Sequence, residues 1–418
     1  MTGAAGARTV RGLGVRVGAS ALNHRALQLT GSWLPGLLGG RMPWLGLLRR
    51  PVAPLRGPDW VRLAPILSGV CGSDMAVLTG HASAVLSPFN SFPAVMGHEV
   101  VARVTEVGPA VAEVQVGDRV VLDPIIGCEV RGLPACQRCA AGWPSLCLRA
   151  ADGDLAPGML IGFCRDLPGA WSDELQAHRS RVYPVPAGVS DDAAVLIEPF
   201  AVALHAVLTI APAAGERVLV VGSGTLGLCT VAALRLVAPD SEVTVLARHP
   251  AQVSLAGRLG ATRVVGGRSP DAALAAAAEF AGASRHRPLS GPDTLAGGFD
   301  VIFETGGTQR SLDAALRAAA PRGRVGLLGG HAVVDRLDLT LTWARELDLR
   351  GSYVYGREDG LPGRPHTIVY ALRLLAQHPE LPLGELVTHR YRLEDWPAAM
   401  RAVLDRRRSG AVKVVFAG

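Results

Sequence analysis

Lysine is almost absent from this chain of 418 residues: Lys413 is the only one, and arginine supplies the rest of the 42 basic residues. With 36 acidic residues, the formal net charge is +6. A basic chain can bind nucleic acid, but the clusters Arg49-Arg50 and Arg406-Arg407-Arg408 are short and have no interleaved aromatic residues. The bias resembles GC-rich codon usage, and we expect no nucleic-acid partner.

Long apolar runs are also missing. No segment reaches the about 18 consecutive apolar residues of a membrane span. Residues 1–10 lack the apolar stretch of a secretory signal. We therefore expect a cytoplasmic protein with no membrane partner. The hydrophobic content of 49% is ample for a large core, and the length indicates two domains.

Cysteine is concentrated in one place. Four of the seven cysteines lie in a short stretch, namely Cys128, Cys136, Cys139 and Cys147. In a small secreted protein this crowding would indicate disulfides, whereas in a chain of this length it indicates a metal. Four thiolates can close a tetrahedral structural zinc site.

Further candidate zinc ligands are spread more widely. They lie in Cys71-Gly72-Ser73-Asp74, in Gly97-His98-Glu99 and in Glu198-Pro199. Thiolate, imidazole and carboxylate groups are the ligands that Zn²⁺ takes in proteins.

The pattern of apolar and turn-forming residues changes along the chain and predicts an α/β protein. Residues 1–55 favour an irregular N-terminal extension, in which the glycines and prolines after residue 30 argue against a membrane-surface helix. Residues 56–205 favour a β-rich domain, with strands at 100–104 and 119–122. Residues 206–349 alternate strands and helices, which predicts a doubly wound parallel sheet with a surface insertion at 268–297. Residues 350–418 are expected to return to the first domain, with a last strand at 411–416.

A glycine-rich turn follows the apolar run 218–221 and precedes a helical pattern. Its sequence is Gly222-Ser223-Gly224-Thr225-Leu226-Gly227. Gly222 permits a tight turn, Gly224 lets the backbone approach a pyrophosphate, and Gly227 permits close helix packing. The helix N-terminus, with Thr225 and Leu226 in its first turn, then faces the anion. This is the fingerprint of a dinucleotide site.

The end of the next predicted strand bears on the choice of cofactor. An NAD enzyme would place a carboxylate near Ala247 to bind the ribose 2′-hydroxyl, and alanine cannot do this. Arg248 is positioned to meet a 2′-phosphate instead. The sequence favours NADP over NAD, although an exposed Arg248 in a site that accepts both cofactors is the alternative.

The chain resembles the zinc-containing medium-chain dehydrogenase/reductase superfamily, in particular its polyol and threonine dehydrogenase-like branch. The resemblance rests on the Cys71 motif, the His98 motif, the four-cysteine stretch, Glu198-Pro199 and the glycine turn, which occur in the order of the family. It implies a GroES-like catalytic domain, formed by both ends of the chain, and a Rossmann domain.

The resemblance also implies the roles of the residues at the catalytic zinc. Cys71 and His98 are ligands, and the third is a carboxylate, either Glu99 or Glu198. Ser73 resembles the hydroxyl that bonds the reacting oxygen and passes on its proton. The relay histidine that relatives often carry soon after this motif is missing, because Met75-Ala76-Val77 follows.

In the four-cysteine stretch the family spacing is C-x2-C-x2-C-x7-C. Here the first gap is longer and runs from Glu129 to Ala135, so we expect a loop at that point. The alternative is an incomplete site with Cys128 free.

These features together predict an enzyme, a zinc-dependent dehydrogenase that interconverts a small polar alcohol and its aldehyde or ketone with NADP or NAD. A homodimer or homotetramer is expected from the family. The alternative is a non-catalytic nucleotide-binding redox sensor or scaffold on the same fold.

Overall fold

The computed structural model describes residues 8–18, 20–31, 33–266, 270–330 and 333–418. The chain divides into two compact units. Unit 1 comprises Met1–Glu198 and Val387–Gly418, and unit 2 comprises Pro199–Leu386. The first division therefore falls after Glu198 rather than at residue 205, and the chain returns to unit 1 at Val387 rather than at 350.

Strands are found throughout the described residues. In chain order they are β1 (Thr9–Val15), β2 (Leu45–Pro51), β3 (Trp60–Gly69), β4 (Ala94–Val95), β5 (Val100–Val107), β6 (Arg119–Leu122), β7 (Leu175–His178), β8 (Val182–Pro184), β9 (Arg217–Val221), β10 (Glu242–Ala247), β11 (Arg263–Gly266), β12 (Ser284–His286), β13 (Thr294–Ala296), β14 (Phe299–Glu304), β15 (Ala319–Leu327), β16 (Asp348–Gly351), β17 (Val387–Arg392) and β18 (Lys413–Ala417).

Helices alternate with the strands, most regularly in unit 2. In chain order they are α1 (Ala21–Thr30), α2 (Leu34–Leu37), α3 (Gly72–Leu78), α4 (Gln137–Ala140), α5 (Asp191–Ala194), α6 (Ile197–Ile210), α7 (Thr225–Val237), α8 (Pro250–Arg258), α9 (Pro270–Phe280), α10 (Gln309–Ala318), α11 (Thr340–Ala344), α12 (Thr367–Gln377), α13 (Trp396–Leu404) and α14 (Arg406–Ser409). Among the described residues, none of these helices has the length and apolar character needed to cross a bilayer.

Unit 1 is built on a largely antiparallel sheet. Its strand order is β17-β18-β3-β5-β6-β8, with β7 also paired to β3. The final strand β18 pairs antiparallel with β3, so the two ends of the chain meet in one sheet, as the sequence predicted. The predicted strands at 100–104 and 119–122 are present as β5 and β6.

The N-terminal segment is not the irregular extension expected from the sequence. Strands β1 and β2 form an antiparallel pair, and β4 joins them in a three-stranded sheet. Leu13 and Trp44 lie in the same buried cluster as Met75 of α3 and Met400 of α13. This apolar contact explains why a stretch rich in glycine is ordered.

Unit 2 is a doubly wound sheet, which confirms the predicted fold class. All its neighbouring strands are parallel, in the order β11-β10-β9-β14-β15-β16. The chain builds outward from β9 through β10 to β11 and then returns to the other side of β9 with β14. The point where the order reverses therefore lies between β9 and β14, where open α/β sheets bind ligands at the carboxyl ends of their strands.

Residues 268–297 are not wholly a surface insertion. Helix α9 places Leu274, Ala277 and Ala278 in the buried cluster of unit 2, beside Phe299 of β14. Only the hairpin that follows, β12 with β13, carries an exposed strand, since Ser284–His286 is exposed along its length. Helix α10 ends at Ala318, and Ala319 already belongs to β15.

Candidate functional site

Cys71 is held at the start of a helix. It is the N-cap residue of α3, and its backbone N–H donates to Asp74 Oδ2 at 2.9 Å. This capping box satisfies helix donors that would otherwise be orphaned, and it fixes the position of the thiol. Asp74, fully buried, therefore orders the loop that carries Cys71.

His98 lies beside Cys71 and is supported by the same aspartate. Its Nδ1 is 3.3 Å from Asp74 Oδ1, and its Nε2 is 3.4 Å from Ser73 Oγ. Burial alone would lower the pKa of His98, but the charges of Asp74 and Cys71 raise that pKa well above its ordinary value. A carboxylate behind an imidazole in this way orients the ring and raises its basicity as a metal ligand.

Glu99 forms a buried ion pair with the only lysine of the chain. Lys413 Nζ donates to Glu99 Oε2 and, at 3.2 Å, to the carbonyl oxygen of Val70. Both side chains are 1% exposed, so the pair is shielded from water. Gly69 leaves room for it, because a Cβ there would lie 2.0 Å from Glu99 Oε2 and 2.7 Å from Lys413 Cε.

Glu198 is the second candidate carboxylate. It is buried, and burial raises its pKa to about 7, with His98 acting in the opposite direction and Glu99 adding to the rise. Glu198 thus lies within the electrostatic reach of His98 and Glu99.

The first set of donors fits a catalytic zinc. Ligand atoms of Cys71, His98 and Glu99 all lie within 4.8 Å of one another, and Glu198 is not in this group among the described residues. One thiolate, one imidazole and one carboxylate leave a fourth tetrahedral position open, as catalytic zinc sites do. Of the two carboxylates that the sequence left open, the geometry favours Glu99 as the direct ligand.

The four cysteines of the second set converge despite their altered spacing. Their Sγ atoms lie within 4.8 Å of one another, and those of Cys128 and Cys147 are 3.6 Å apart. Backbone N–H groups of Cys136 and Arg149 donate to Sγ of Cys128 and Cys147, at 3.3 and 3.4 Å. This is a closed, four-thiol donor set that fits a structural zinc, and Cys128 lies within it.

The longer first gap carries a buried arginine. The Arg131 guanidinium donates to five backbone carbonyl oxygens, at distances from 2.5 to 3.2 Å. These acceptors belong to Ala150, Asp152, Leu155, Ala156 and Gly158. The inserted loop therefore fastens the segment that follows the last cysteine.

The glycine turn has the geometry that dinucleotide binding requires. Gly222 follows β9 with φ +110°, a conformation that side chains disfavour. A Cβ on Gly227 would lie 2.0 Å from the carbonyl oxygen of Gly222. Gly224 caps the N-terminus of α7, so the first turn of that helix, with Thr225 and Leu226, points its free N–H groups toward the switch point of the sheet.

Two further residues mark the edge of this nucleotide site. Ala247 is buried at the end of β10, and Arg248 is exposed immediately after it. No carboxylate stands at either position. At the end of β14, buried Glu304 accepts from the N–H groups of Gly306 and Gly307 at 2.8 and 2.9 Å.

Comparison with known proteins assigns the chain to a family. Residues 57–187 match the family model described as the alcohol dehydrogenase GroES-like domain, and residues 225–376 match the one described as zinc-binding dehydrogenase. The chain belongs to the zinc-containing medium-chain dehydrogenase/reductase superfamily, as the motifs indicated.

Two curated relatives illustrate the range of activities. An L-threonine 3-dehydrogenase of Anaeromyxobacter sp. (strain K) is 30% identical over 346 residues, which cover 82% of this chain and 88% of the relative. A 2-dehydro-3-deoxy-L-galactonate 5-dehydrogenase of Pseudoalteromonas atlantica is 28% identical over 308 residues, covering 74% and 79%.

Solved structures share the fold at lower identity. A crystal structure described as a short chain alcohol dehydrogenase from Escherichia coli CFT073, complexed with NADH, aligns over 99% of this chain and 100% of its own, with TM-score 0.73 and 21% identity. The donor sets and the glycine turn of this chain fit zinc and NAD(P) as cofactors.

Sequence reasoning missed two contributors to the first metal site. Lys413 attracted notice only as the single lysine, and Gly69 was not singled out. The pairing of Lys413 with Glu99 spans 314 residues, so no local pattern could reveal it. A buried lysine in the last strand was the one available signal, because lysine is rarely fully buried without a partner.

Proposed function

We propose that the protein is a zinc-dependent, NAD(P)-linked dehydrogenase that interconverts a small polar alcohol and its aldehyde or ketone. The observation that carries the proposal is the convergence of Cys71, His98 and Glu99 within 4.8 Å, with one zinc position left open. The curated relatives, which are named for threonine and for a sugar acid, support a polar substrate.

The donor set and the glycine turn would have separate roles in this reaction. Cys71, His98 and Glu99 would hold the zinc, with Glu198 close by, and the glycine turn would hold the nucleotide. Zinc would polarise the reacting oxygen and lower the pKa of an alcohol, and a nicotinamide would supply the hydride acceptor.

Ser73 is the candidate for moving the alcohol proton. Its hydroxyl can both accept and donate a hydrogen bond, and it lies beside His98. Asp74 holds His98 from behind, while Lys413 balances the charge of Glu99 in a dry environment. Asp74 and Lys413 therefore position the donor set.

A turnover screen tests the proposal. Zinc-loaded protein is mixed with NADP⁺ or NAD⁺ and a panel of polyols, sugar acids, amino alcohols and diols, and cofactor reduction is followed by absorbance. At least one small polar alcohol should be oxidised, and its carbonyl product should be reduced in the reverse reaction. Protein that binds the nucleotide but turns over no member of the panel in either direction would contradict the proposal.

Preference for NADP over NAD is part of the proposal. The exposed Arg248 guanidinium suits a 2′-phosphate, and Ala247 offers no acceptor for a 2′-hydroxyl. Recognition of this kind contributes on the order of 1.5–3 kcal/mol, so Arg248→Ala should weaken NADP binding about tenfold or more and leave NAD binding nearly unchanged. Arg373→Ala, an exposed arginine on α12, is the control. Equal losses for both cofactors, or none, would refute this preference.

Three further expectations stay predictions: two zinc ions per chain, a cytoplasmic location, and a homodimer or homotetramer. Metal analysis of the purified protein would test the first, because the open and closed donor sets should each retain one ion.

A further inference from the structure

Residues 16–44 form an excursion that the sheet of β1 and β2 does not need. Val15 at the end of β1 is the direct partner of Leu45 at the start of β2, so the two strands would be joined equally well by a tight turn. The chain instead makes a long detour that contains α1 and α2. The detour is therefore much longer than the connection that the two strands require.

The outward face of α1 is apolar with one positive charge. Leu22, Arg25, Ala26 and Leu29 occupy positions i, i+3, i+4 and i+7, which share one face of a helix, and all four are exposed. Leu22 is 79% exposed and Leu29 is 67% exposed. The inner face is less apolar, since only Leu27 packs on the core of unit 1.

Further exposed apolar side chains continue beyond the end of α1. Trp33 is 52% exposed, and its Nε1 donates to the carbonyl oxygen of Leu29 at 2.7 Å. Leu37 and Leu38 follow, at 76% and 42%. An apolar row that runs from Leu22 to Leu38 and contains a tryptophan with a satisfied N–H has the character of a surface that contacts a partner.

The charged side chains of the excursion itself have one sign. The first acidic residue of the chain is Asp59, so the whole excursion lacks a carboxylate side chain and carries Arg16, Arg25 and Arg41. All three arginines are exposed, and none forms an ion pair with a described residue. Charge complementarity therefore selects a partner that is both apolar and anionic.

A surface cavity beside the row combines the same two properties. Its volume is about 510 Å³, and it lies against the excursion and the start of α13. It is lined by Arg16, Leu38, Arg41, Met42, Pro43, Leu45, Gly46, Leu47 and Trp396. Apolar walls with two guanidinium groups suit an acyl chain that carries an acidic headgroup.

We propose that residues 16–44 are a peripheral membrane-binding element, which docks unit 1 on a bilayer that contains anionic phospholipid. The leucines and Trp33 enter the interface, while the arginines reach the headgroups. This proposal replaces the expectation of no membrane partner, which rested on the lack of a membrane span. It also departs from the argument that the glycines and prolines after residue 30 prevent a membrane-surface helix. Helix α1 ends at Thr30, before the first of them.

The excursion is fixed to the rest of unit 1 by a buried hydrogen bond. The indole Nε1 of Trp44 donates to the carbonyl oxygen of Leu78, the last residue of α3, at 2.8 Å. The element therefore rests on the helix that has Cys71 at its other end. The proposal itself does not depend on catalysis.

Vesicle flotation of the full-length, zinc-loaded protein tests the proposal. Vesicles of phosphatidylcholine alone are compared with vesicles that also contain phosphatidylglycerol, at low and high salt. The wild type should float with the anionic vesicles, and less so at high salt, because screening weakens headgroup attraction. Leu22→Gln with Leu29→Gln should lower partitioning at least tenfold, and Arg25→Gln alone should lower it about fivefold.

Matched variants act as controls. Val116→Gln with Leu148→Gln removes two apolar side chains that are 59% and 66% exposed elsewhere in unit 1, and Arg407→Gln removes an exposed arginine. These variants should float like the wild type. A wild type that floats with neither vesicle, or partitioning that Leu22→Gln with Leu29→Gln leaves unchanged, would overturn the proposal. So would an oligomer, measured by light scattering, that this double variant dissociates, because the row would then be a contact between copies.

Discussion

At the scale of single residues, the candidate zinc site depends on groups outside the donor set itself. Asp74 orients both Cys71 and His98, and the Glu99–Lys413 pair requires the absence of a side chain at Gly69. A buried ion pair of this kind contributes little net stability, but breaking it is costly, because it leaves an uncompensated charge.

Gly69→Ala tests how tightly the pair is packed. The added Cβ would lie 2.0 Å from Glu99 Oε2, so the pair must move, and we expect the free energy of unfolding to fall by about 1–3 kcal/mol. Gly72→Ala is the control, because a Cβ there meets nothing within 4 Å and the position is helical. Chemical denaturation measures both. Equal effects of the two substitutions would show that the pair does not constrain Gly69.

Glu304 should make the stability of the protein depend on pH. Burial raises its pKa above the ordinary value of 4.5, so the folded state holds this proton more tightly than the unfolded state. The contribution of Glu304 to stability is therefore fully present below about pH 4.5 and is lost as the pH rises through the raised pKa. Glu304→Gln keeps an acceptor for the N–H groups of Gly306 and Gly307 but cannot ionise. The pH-dependent loss of stability should therefore be absent from this variant.

The free energy of unfolding of the wild type relative to Glu304→Gln should accordingly decrease from about pH 5 to about pH 8. Denaturant titration at both pH values measures it. Glu279→Gln, at an exposed position of α9, should leave the profile of the wild type unchanged. If the free energy of unfolding of the wild type instead rose with pH relative to that of Glu304→Gln, the raised pKa of Glu304 would be contradicted.

At the scale of elements, local patterns predicted those parts of the fold whose signals are local. The run 218–221 followed by glycines gave β9 and the start of α7, because a tight turn and a helix N-terminus are encoded by neighbouring residues. Helix α1 was missed for a physical reason. It buries none of its residues, and the apolar side chains of one of its faces point outward, so packing against a core does not mark it as a helix.

The four-cysteine stretch also has a feature that neighbouring residues do not predict. The ligands could be predicted from their number, but the role of the longer gap could not, because Arg131 donates to carbonyl groups 19 to 27 residues away. Such contacts depend on how the following loop folds. The sequence predicted only a loop in the gap from Glu129 to Ala135.

Arg131→Met should loosen this stretch. The substitution leaves five carbonyl groups without their shared donor, and hydrogen bonds to a charged group contribute about 1.5–3 kcal/mol each without full additivity. We expect about 3 kcal/mol lower stability and faster proteolytic cleavage within residues 150–158. Arg138→Met, on the exposed side of α4, should change stability by less than about 0.5 kcal/mol. Unchanged proteolysis in Arg131→Met would show that Arg131 does not hold residues 150–158 in place.

At the scale of the whole molecule, the chain divides its chemistry between its units. Unit 1 carries both metal donor sets, and unit 2 carries the dinucleotide turn at the switch point of its sheet. The order of the motifs predicted this division and the return of the last strand to unit 1. The boundaries were misplaced because the change of pattern near residue 205 lies inside α6, which begins at Ile197.

The Cys71→Ala variant tests directly whether the first donor set serves turnover while the nucleotide binds elsewhere. Its control is Cys164→Ala, which replaces a buried cysteine of unit 1 outside both donor sets. Turnover is measured with the best alcohol from the panel, and binding of the reduced cofactor is measured by fluorescence. Cys71→Ala should lose at least about a hundredfold in kcat while binding the nucleotide as the wild type does, because metal and nucleotide have separate ligands. Cys164→Ala should keep both properties. A kcat for Cys71→Ala close to that of the wild type would contradict zinc-dependent catalysis at this site.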